Sequence, residues 1–278
     1  MARAFAEGEV RVNGRAARKG DRVAPGDVVD VGAIPSRADL APRPQPELPL
    51  VVLLVDEALV ALDKPAGMPS HPLAAGERGT LANALAARHP ECVAAGADPR
   101  EAGLVQRLDA GTTGVIVAAR TAPAWSAMRE AFRRGEVRKE YLALVSAPVD
   151  EEDVVIDLPI AHDRARGGAR AGERVGALPA RTEVHRLGPA GRFTLLRCVA
   201  VTGRVHQVRA HLAARGWPIV GDVRYGGEPV GGPGHLLHAA RVELPHPTHG
   251  GRLGIAAPPP AWWREEIGSS VPTSDPLW

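Results

Sequence analysis

The sequence is poor in cysteine and contains no long hydrophobic run. Its two cysteines, Cys92 and Cys198, are too few for a disulfide framework and lie in no C-x-x-C or histidine-rich spacing. The longest apolar run, residues 48–55, is far shorter than a bilayer crossing, and the N-terminus lacks the apolar core of a signal peptide. We therefore expect a soluble protein of the reducing cytoplasm, without a metal site.

An excess of charge of one sign is also missing. The 278 residues carry a formal net charge of only +2, so a nucleic-acid partner has to be argued from basic residues that are grouped locally. Hydrophobic residues make up 45% and charged residues 24% of the chain, which is typical of a globular protein with one large core and a small appendage.

The phosphate-binding loop of nucleotide hydrolases is absent as well. Lys64 lies close to Pro65 and Gly67, but the G-x-x-x-x-G-K-[ST] arrangement is not present, and no Ser or Thr follows the lysine to open a helix. The sequence therefore excludes nucleotide hydrolysis by this loop, and we expect no cofactor.

The most informative stretch is residues 104–120, LVQRLDAGTTGVIVAAR. Its apolar ends predict two strands, and the Gly-Thr-Thr-Gly segment predicts a turn with Arg107 and Asp109 at its rim. Glycines at such a turn let a ligand approach closely, which favours a catalytic role for Asp109. The alternative is that the Asp109 carboxylate only accepts hydrogen bonds from the amides of Thr112 and Thr113, as turn residues often do.

Local patterns predict the elements around this stretch. Apolar alternation or periodicity indicates strands at residues 10–12, 28–31, 50–55, 59–63 and 137–145, and helices at 80–89, 121–135 and 202–218. Residues 90–103 are predicted to form a loop. Residues 163–181 hold five arginines among glycines, which fits either a mobile solvated loop or a loop that clamps RNA.

The predicted helix at residues 202–218 contains a cation in an unusual place. Val205, Val208 and Leu212 would form its buried stripe, and Arg209 would lie at the edge of that stripe. Because a cation there is neither fully solvated nor cheaply buried, Arg209 should have an anionic partner.

A proline-rich segment divides the chain. Residues 32–49 contain five prolines and little apolar content, as in an extended linker. We predict a small unit at residues 1–31, a catalytic domain at 50–267 and a loosely held tail at 268–278. The small unit is crowded with basic residues, which fits a solvated hairpin or a phosphate contact: Arg11, Arg15, Arg18, Lys19 and Arg22.

Four segments resemble motifs of the RluA-type RNA pseudouridine synthases. They are DKPAGMPSHP at residues 63–72, RLD followed by TTG at 107–114, KEYLALV at 139–145 and GRVHQVRAHL at 203–212. The chain has Gln106 where that family usually has His, and Thr113 where it usually has Ser. The family pattern also implies two further strands, at residues 218–226 and 235–247. Residues 8–31 are similar to the second half of a small RNA-binding domain found in a ribosomal small-subunit protein.

The resemblance implies roles for individual residues. In the family, the residue matching Asp109 is catalytic, and the arginine matching Arg209 pairs with it. Tyr141 matches the tyrosine at the target base, and Arg107 would fill the gap left by a flipped nucleotide. The same motifs imply that substrate is also bound by Lys139, Arg204, His206 and Gln207.

The implied fold is α+β, with a mixed, mostly antiparallel central sheet and flanking helices. The implied reaction is the isomerisation of uridine in structured RNA, either ribosomal RNA, the large subunit first, or transfer RNA, by a monomer. The motifs offer one carboxylate, whereas glycoside hydrolysis normally needs two. The competing hypothesis is a non-catalytic RNA-binding protein that keeps the fold, motivated by Gln106 and the short N-terminal unit.

Overall fold

A nine-stranded β-sheet lies at the centre of the protein. The structure, a computed structural model, describes residues 4–5, 8–32, 38–163 and 167–267. Its strands are β1 (Val10–Val12), β2 (Arg15–Ala16), β3 (Val29–Val31), β4 (Val51–Val55), β5 (Leu59–Lys64), β6 (Thr113–Ala119), β7 (Arg138–Val145), β8 (Asp153–Ile156), β9 (Ile160–Asp163), β10 (Gly168–Ala171), β11 (Thr182–Ala190), β12 (Phe193–Ala200), β13 (Leu237–Pro245) and β14 (Arg252–Ala256). Its α-helices are α1 (Leu81–Arg88), α2 (Glu91–Ala95), α3 (Ala122–Arg133), α4 (Gln207–Ala214) and α5 (Trp262–Ile267).

The sheet is mixed but mostly antiparallel. Its strand order is β4-β5-β6-β13-β7-β12-β11-β8, and β14 pairs with β13 outside this path. Only the β6–β13 pair is parallel among the described strands, so the last long strand of the chain joins the two halves of the sheet. The predicted α+β class with a mostly antiparallel sheet is confirmed.

The central strands are apolar on both faces because helices cover both. Every residue of β6 is buried, as expected for a strand that is sandwiched between two layers. Leu85 of α1 packs in the cluster that contains Ile116, and Met128 of α3 packs in the cluster that contains Val117. Alternate side chains of one strand thus fill two separate cores.

The helix ends follow their capping residues. The hydroxyl of Thr80 accepts a hydrogen bond from the Asn83 amide, and the Asn83 side chain accepts one from the Thr80 amide, which forms a capping box at the start of α1. Thr121 caps α3 in the same position. The helices predicted at residues 80–89 and 121–135 are confirmed.

Two predictions before β6 need correction. Residues 104–105 do not form a strand. Leu104 makes only an isolated bridge to Ala118, and the chain then turns away toward Asp109. The loop predicted at residues 90–103 contains the short helix α2.

The helix predicted at residues 202–218 begins only at Gln207, and Val205 is 41% exposed rather than buried. His206 has a φ of 53°, a left-handed conformation that cannot continue a right-handed helix toward the N-terminus. The Gln207 side chain accepts a hydrogen bond from the Arg204 amide at 3.0 Å, which holds the preceding loop in place of a helical turn.

Two further segments differ from the prediction. The strand predicted at residues 218–226 is an isolated bridge at Ile219 followed by a 3₁₀ turn at Val223–Tyr225. Within the segment 163–181, residues Gly168–Ala171 form β10, which pairs with β9 in a hairpin. Residues 164–166 and the predicted tail at 268–278 lie outside the described residues.

The N-terminal unit forms the small sheet β2-β1-β3, with a turn at Asn13 between β1 and β2. Part of the predicted linker is bound to α1, since the Asn83 side chain donates to the Arg43 carbonyl at 2.9 Å and Arg88 donates to the Leu48 carbonyl at 3.1 Å. The division into two domains stays a prediction.

No helix of the described residues has the length and apolar content needed to cross a membrane.

Gly114 lies where β6 and β13 approach most closely. Its φ is +106°, and a Cβ added to it would lie 2.3 Å from the Ala239 carbonyl oxygen. We expect Gly114→Ala to lower the free energy of unfolding by about 3 kcal/mol through backbone strain and overpacking. Gly216→Ala is the control, because its φ is +76° but an added Cβ meets nothing within 4 Å, so only about 1 kcal/mol should be lost. Equal losses in urea unfolding would contradict the packing argument.

His238 should make stability fall in mild acid. Its Nε2 donates to the Ala257 carbonyl and its Nδ1 accepts from the Thr113 hydroxyl, and burial lowers its pKa from 6.5 to about 4. Between these pH values the unfolded chain binds a proton that the folded chain does not, so the free energy of unfolding should fall by up to about 1.4 kcal/mol per pH unit as pH is lowered. His238→Gln should remove this contribution from denaturation curves measured across the range, and parallel curves would contradict it.

Candidate active site

The turn that carries Asp109 is held by backbone contacts on both sides. Before it, the Ser70 hydroxyl donates to the Leu108 carbonyl at 2.7 Å and accepts from the Leu108 amide at 3.0 Å. After it, Lys64 Nζ donates to the Ala110 carbonyl at 3.0 Å. The Cα position of Asp109 is therefore fixed by groups outside its own turn, as a preorganised site requires.

The Asp109 carboxylate is bound by an arginine. Arg209 donates through Nη1 to Asp109 Oδ2 at 2.6 Å, and through Nε and Nη2 to the two oxygens of Asp222 at 2.7 and 2.9 Å. Among the described residues, the carboxylate of Asp109 accepts no hydrogen bond from the amides of Thr112 or Thr113, so the turn-only alternative is wrong. Only the Asp109 backbone carbonyl serves the turn, accepting from the Thr112 amide at 3.0 Å.

Burial increases toward the back of this charge network. The exposed fraction of the side chain is 28% for Asp109, 8% for Arg209 and 2% for Asp222. Burial acts to lower the pKa of Arg209, but the hydrogen bonds to Asp222 and the charge of Asp109 outweigh it and raise that pKa. The guanidinium is thus permanently charged, and the anionic partner predicted for Arg209 is confirmed twice over.

Two aromatic rings of the predicted site face the same carboxylate. Tyr141 lies on β7 between β12 and β13, and burial together with the negative charge of Asp109 raises the pKa of its phenol. Its hydroxyl has no hydrogen-bond partner in the part of the chain that the structure describes. His206 Nε2 lies 3.6 Å from Asp109 Oδ1, and burial lowers the pKa of His206 although Asp109 opposes this.

One cleft of about 1360 Å³ contains all of the predicted site residues. This volume is ample for a nucleotide and part of its neighbours. The residues on its walls include Arg107, Asp109, Lys139, Tyr141, Arg204, His206, Gln207 and Arg209. Gln106 also lines the cleft, and its amide donates to the Val115 carbonyl at 3.3 Å. The structure therefore brings together side chains that are far apart in the sequence.

Two of the predicted substrate-binding residues are engaged within the protein. Gln207 makes four hydrogen bonds, accepting from the Thr202 hydroxyl and the Arg204 amide and donating to the Arg181 carbonyl and the Thr182 hydroxyl. These bonds occupy its amide.

Lys139 is engaged in the same loop. Its Nζ donates to the Thr202 carbonyl at 2.8 Å, and burial, with the charge of Arg204, lowers its pKa to about 8. With Gln207, Lys139 shapes the loop at residues 202–204 that forms one wall of the cleft.

Sequence reasoning missed two residues of the charge network. No motif identifies Asp222, although the need of Arg209 for an anion is a signal of a buried acid elsewhere. No pattern in the motif at residues 63–72 predicts the contacts of Lys64, whose Nζ donates to the carbonyls of Pro65, Met68 and Ala110 at 2.7–3.0 Å. Burial lowers the pKa of Lys64 to about 7, opposed mainly by the charge of Asp109.

The site contains no metal-type ligand set. Among the residues that the structure describes, no group of three or more His, Cys, Asp or Glu side chains could hold a metal ion. Cys92 and Cys198 are both free and buried.

Comparison with known proteins agrees with this geometry. A family model described as RNA pseudouridylate synthase matches residues 58–214, which contain Asp109, Tyr141 and Arg209. The ribosomal large subunit pseudouridine synthase D of Xylella fastidiosa is 37% identical over 268 residues, which are 91% of this chain and 78% of that protein. An uncharacterized RNA pseudouridine synthase of Mycobacterium bovis is 34% identical over 260 residues, 92% of this chain and 84% of that protein.

Solved structures show the same fold. Human RNA pseudouridylate synthase domain containing 1 superposes with a TM-score of 0.62 and 24% identity over 76% of this chain and 83% of its own. Human RNA pseudouridylate synthase domain containing 4 gives a TM-score of 0.59 and 25% identity over 77% and 90%. With residues of all four motif segments in one cleft and sequence matches along nine-tenths of its length, the chain belongs to the RNA pseudouridylate synthase family, whose members are isomerases.

Proposed function

We propose that this chain isomerises uridines of large-subunit ribosomal RNA, with Asp109 as the catalytic carboxylate. The observation that carries the proposal is the Asp109–Arg209 contact of 2.6 Å at the wall of a cleft that admits a nucleotide. Arg209 holds one carboxylate oxygen, while Asp109 keeps 28% of its side chain accessible. A carboxylate held in this way is positioned for a reacting atom and not only for structure.

The available groups fit this reaction. In the isomerisation the N1–C1′ bond of uridine breaks, the uracil turns, and a C5–C1′ bond forms while C5 loses a proton and N1 gains one. The steps need a nucleophile or base beside the sugar and base, and no net oxidant or energy source. Asp222 does not act as a second reactive carboxylate, because it is 2% exposed and both of its oxygens bind Arg209.

A flipped nucleotide is the second part of the proposal. The reacting atoms of a stacked uridine are inaccessible, so the base has to leave the stack and rest on a new surface. The half-buried Tyr141 offers that surface, and its free hydroxyl offers a polar contact. Arg107 is exposed at the cleft and has no hydrogen-bond or ion-pair partner among the described residues, which leaves it able to fill the vacated stack.

The charge of the cleft favours an RNA backbone. Besides Arg209, its walls carry six cations, Arg107, Arg129, Arg133, Arg134, Lys139 and Arg204. The carboxylates on the same walls besides Asp109 are three, Glu77, Glu101 and Glu130. A positive cleft in a nearly neutral protein is the local grouping that phosphate binding requires. His206 lies beside Asp109 and Arg204 lines the same cleft, and both are proposed to contact the target nucleotide.

The substrate assignment follows the names of the relatives. Several relatives, including the Xylella fastidiosa protein, are named ribosomal large subunit pseudouridine synthase D. We therefore propose large-subunit ribosomal RNA first and transfer RNA second, and a monomer that works in the cytoplasm. The intact Asp109–Arg209 pair favours catalysis over the alternative of an RNA-binding protein that keeps only the fold.

Replacement of Asp109 should stop the reaction without unfolding the protein. We expect Asp109→Asn to reduce tritium release from C5-labelled uridine in RNA by at least about 10⁴-fold, because the reactive carboxylate is lost, while RNA affinity changes less than about threefold. Glu57→Gln, which removes a carboxylate outside the cleft, should leave turnover unchanged. Turnover retained by Asp109→Asn would remove this residue from the mechanism.

The substrate proposal predicts one or more missing pseudouridines in cells that lack the gene. A carbodiimide adduct of pseudouridine stops reverse transcription, so each modified position gives a stop. At least one such stop should disappear from the large-subunit ribosomal RNA of these cells. It should return when the wild-type gene is supplied, but not when the Asp109→Asn gene is supplied. Loss of stops only in transfer RNA would contradict the large-subunit assignment. No loss in any RNA would favour the non-catalytic alternative.

A further inference from the structure

The hydroxyl of Tyr225 joins a surface hairpin to the candidate active site. It accepts a hydrogen bond from the Ala169 amide at 2.9 Å, and it lies 2.9 Å from the Ala169 carbonyl oxygen. It also lies 3.0 Å from His206 Nδ1. One phenol therefore has three partners, although it carries a single proton.

Counting protons assigns the role of each partner. The Ala169 amide can only donate and the Ala169 carbonyl can only accept, so the phenol proton goes to the carbonyl. His206 Nδ1 must then carry a proton and donate it to the phenol oxygen, which has two lone pairs for two donors. In the neutral imidazole this leaves a lone pair on Nε2, and burial lowers the pKa of His206 and so favours the neutral ring.

This tautomer has a consequence for Asp109. His206 Nε2 lies 3.6 Å from Asp109 Oδ1, so two acceptors face each other across a gap that suits one N–H or O–H of a bound nucleotide. The opposite tautomer would point an N–H at the carboxylate and bind it. A hydrogen bond to the charged form stabilises a carboxylate, which would make Asp109 a weaker nucleophile or base.

The hairpin β9–β10 depends on the same phenol. Ala169 lies opposite His162 in the ladder, and its amide and carbonyl are both turned to Tyr225, so the phenol caps the outer edge of β10. β10 has only β9 as a neighbouring strand among the described residues. The hairpin also packs through Ala169 against Ala210 of α4. The Tyr225 oxygen is therefore the one atom that contacts both the hairpin edge and His206.

The ring of Tyr225 is held by the buried charge network. The Arg209 guanidinium carbon lies 5.0 Å from the ring centroid, and the His206 ring meets it edge-on at 5.8 Å. A phenylalanine would keep these ring contacts and lose only the hydroxyl, which separates packing from hydrogen bonding in a single substitution.

We propose that Tyr225 is a positioning residue that couples docking of the β9–β10 hairpin to the active site, by keeping the His206 nitrogen that faces Asp109 free of a proton. The proposal rests on the proposed function of Asp109. A released hairpin would let His206 donate to Asp109 and would slow the chemical step.

The test is Tyr225→Phe, examined by three measurements. In ¹⁵N spectra of labelled histidines, with the His206 signal identified by its loss in His206→Gln, wild type should show Nδ1–H, and the variant a mixture or Nε2–H. Exchange of the Ala169 amide should be at least about tenfold faster in the variant. The kcat on RNA should fall about tenfold while KM changes less than about threefold.

Tyr141→Phe is the matched control, because it removes the hydroxyl of the other tyrosine in the chain. It should leave the His206 signal and Ala169 exchange unchanged, whatever its effect on turnover. An unchanged Nδ1–H signal in Tyr225→Phe, or faster exchange across the whole sheet, would overturn the proposal. The His206 signal is read without substrate, so it tests the coupling even if Asp109→Asn proves active.

A second variant approaches the link from the hairpin, in case Tyr225→Phe fails to fold. Ala169→Pro removes the amide that donates to the phenol, at a strand edge where proline is tolerated. It should raise exchange of the neighbouring hairpin amides and lower kcat in the same direction as Tyr225→Phe. Unchanged exchange and kcat in this variant would also overturn the proposal.

Discussion

A buried guanidinium between two carboxylates is the constraint on which the site depends. Arg209 cannot lose its proton, and removing its charge from water costs several kcal/mol unless good hydrogen bonds replace the solvent. Asp222 supplies two of them in a bidentate pair. Of the three N–H groups that remain, one on Nη1 donates to Asp109 at 2.6 Å. The buried pair thus orients the accessible one.

The sheet topology makes this meeting possible. Asp109 precedes β6, Tyr141 lies on β7, and these strands are not neighbours, because β13 lies between them. The close β6–β13 approach requires Gly114, where any side chain would meet the Ala239 carbonyl. β13, the strand that joins β6 to β7, comes late in the chain. The site therefore forms only when contacts between residues distant in sequence are made.

What the sequence could predict follows from how local each signal is. The helices at residues 80–89 and 121–135 and the apolar strand β6 depend on neighbouring residues, and these predictions hold. The start of α4 depends on the left-handed backbone of His206, and this conformation is set by contacts with other segments. The sequence could predict that Arg209 needs an anionic partner. It could not predict that Asp222 is a second partner beside Asp109, because the Arg209–Asp222 contact forms only in the folded chain.

Asp222 and Asp109 have different roles around Arg209, and this difference explains how Asp109 can be partly exposed in the charge network. If Asp109 alone neutralised Arg209, any movement of its carboxylate toward a substrate would leave a buried cation unpaired, at a cost of about 3–5 kcal/mol. Asp222 removes most of that cost, because it stays paired with Arg209 whatever Asp109 does. The carboxylate at the cleft can therefore exchange its contact with Arg209 for one with a reacting group, while Arg209 and the aromatic ring of Tyr225 beneath it stay in place.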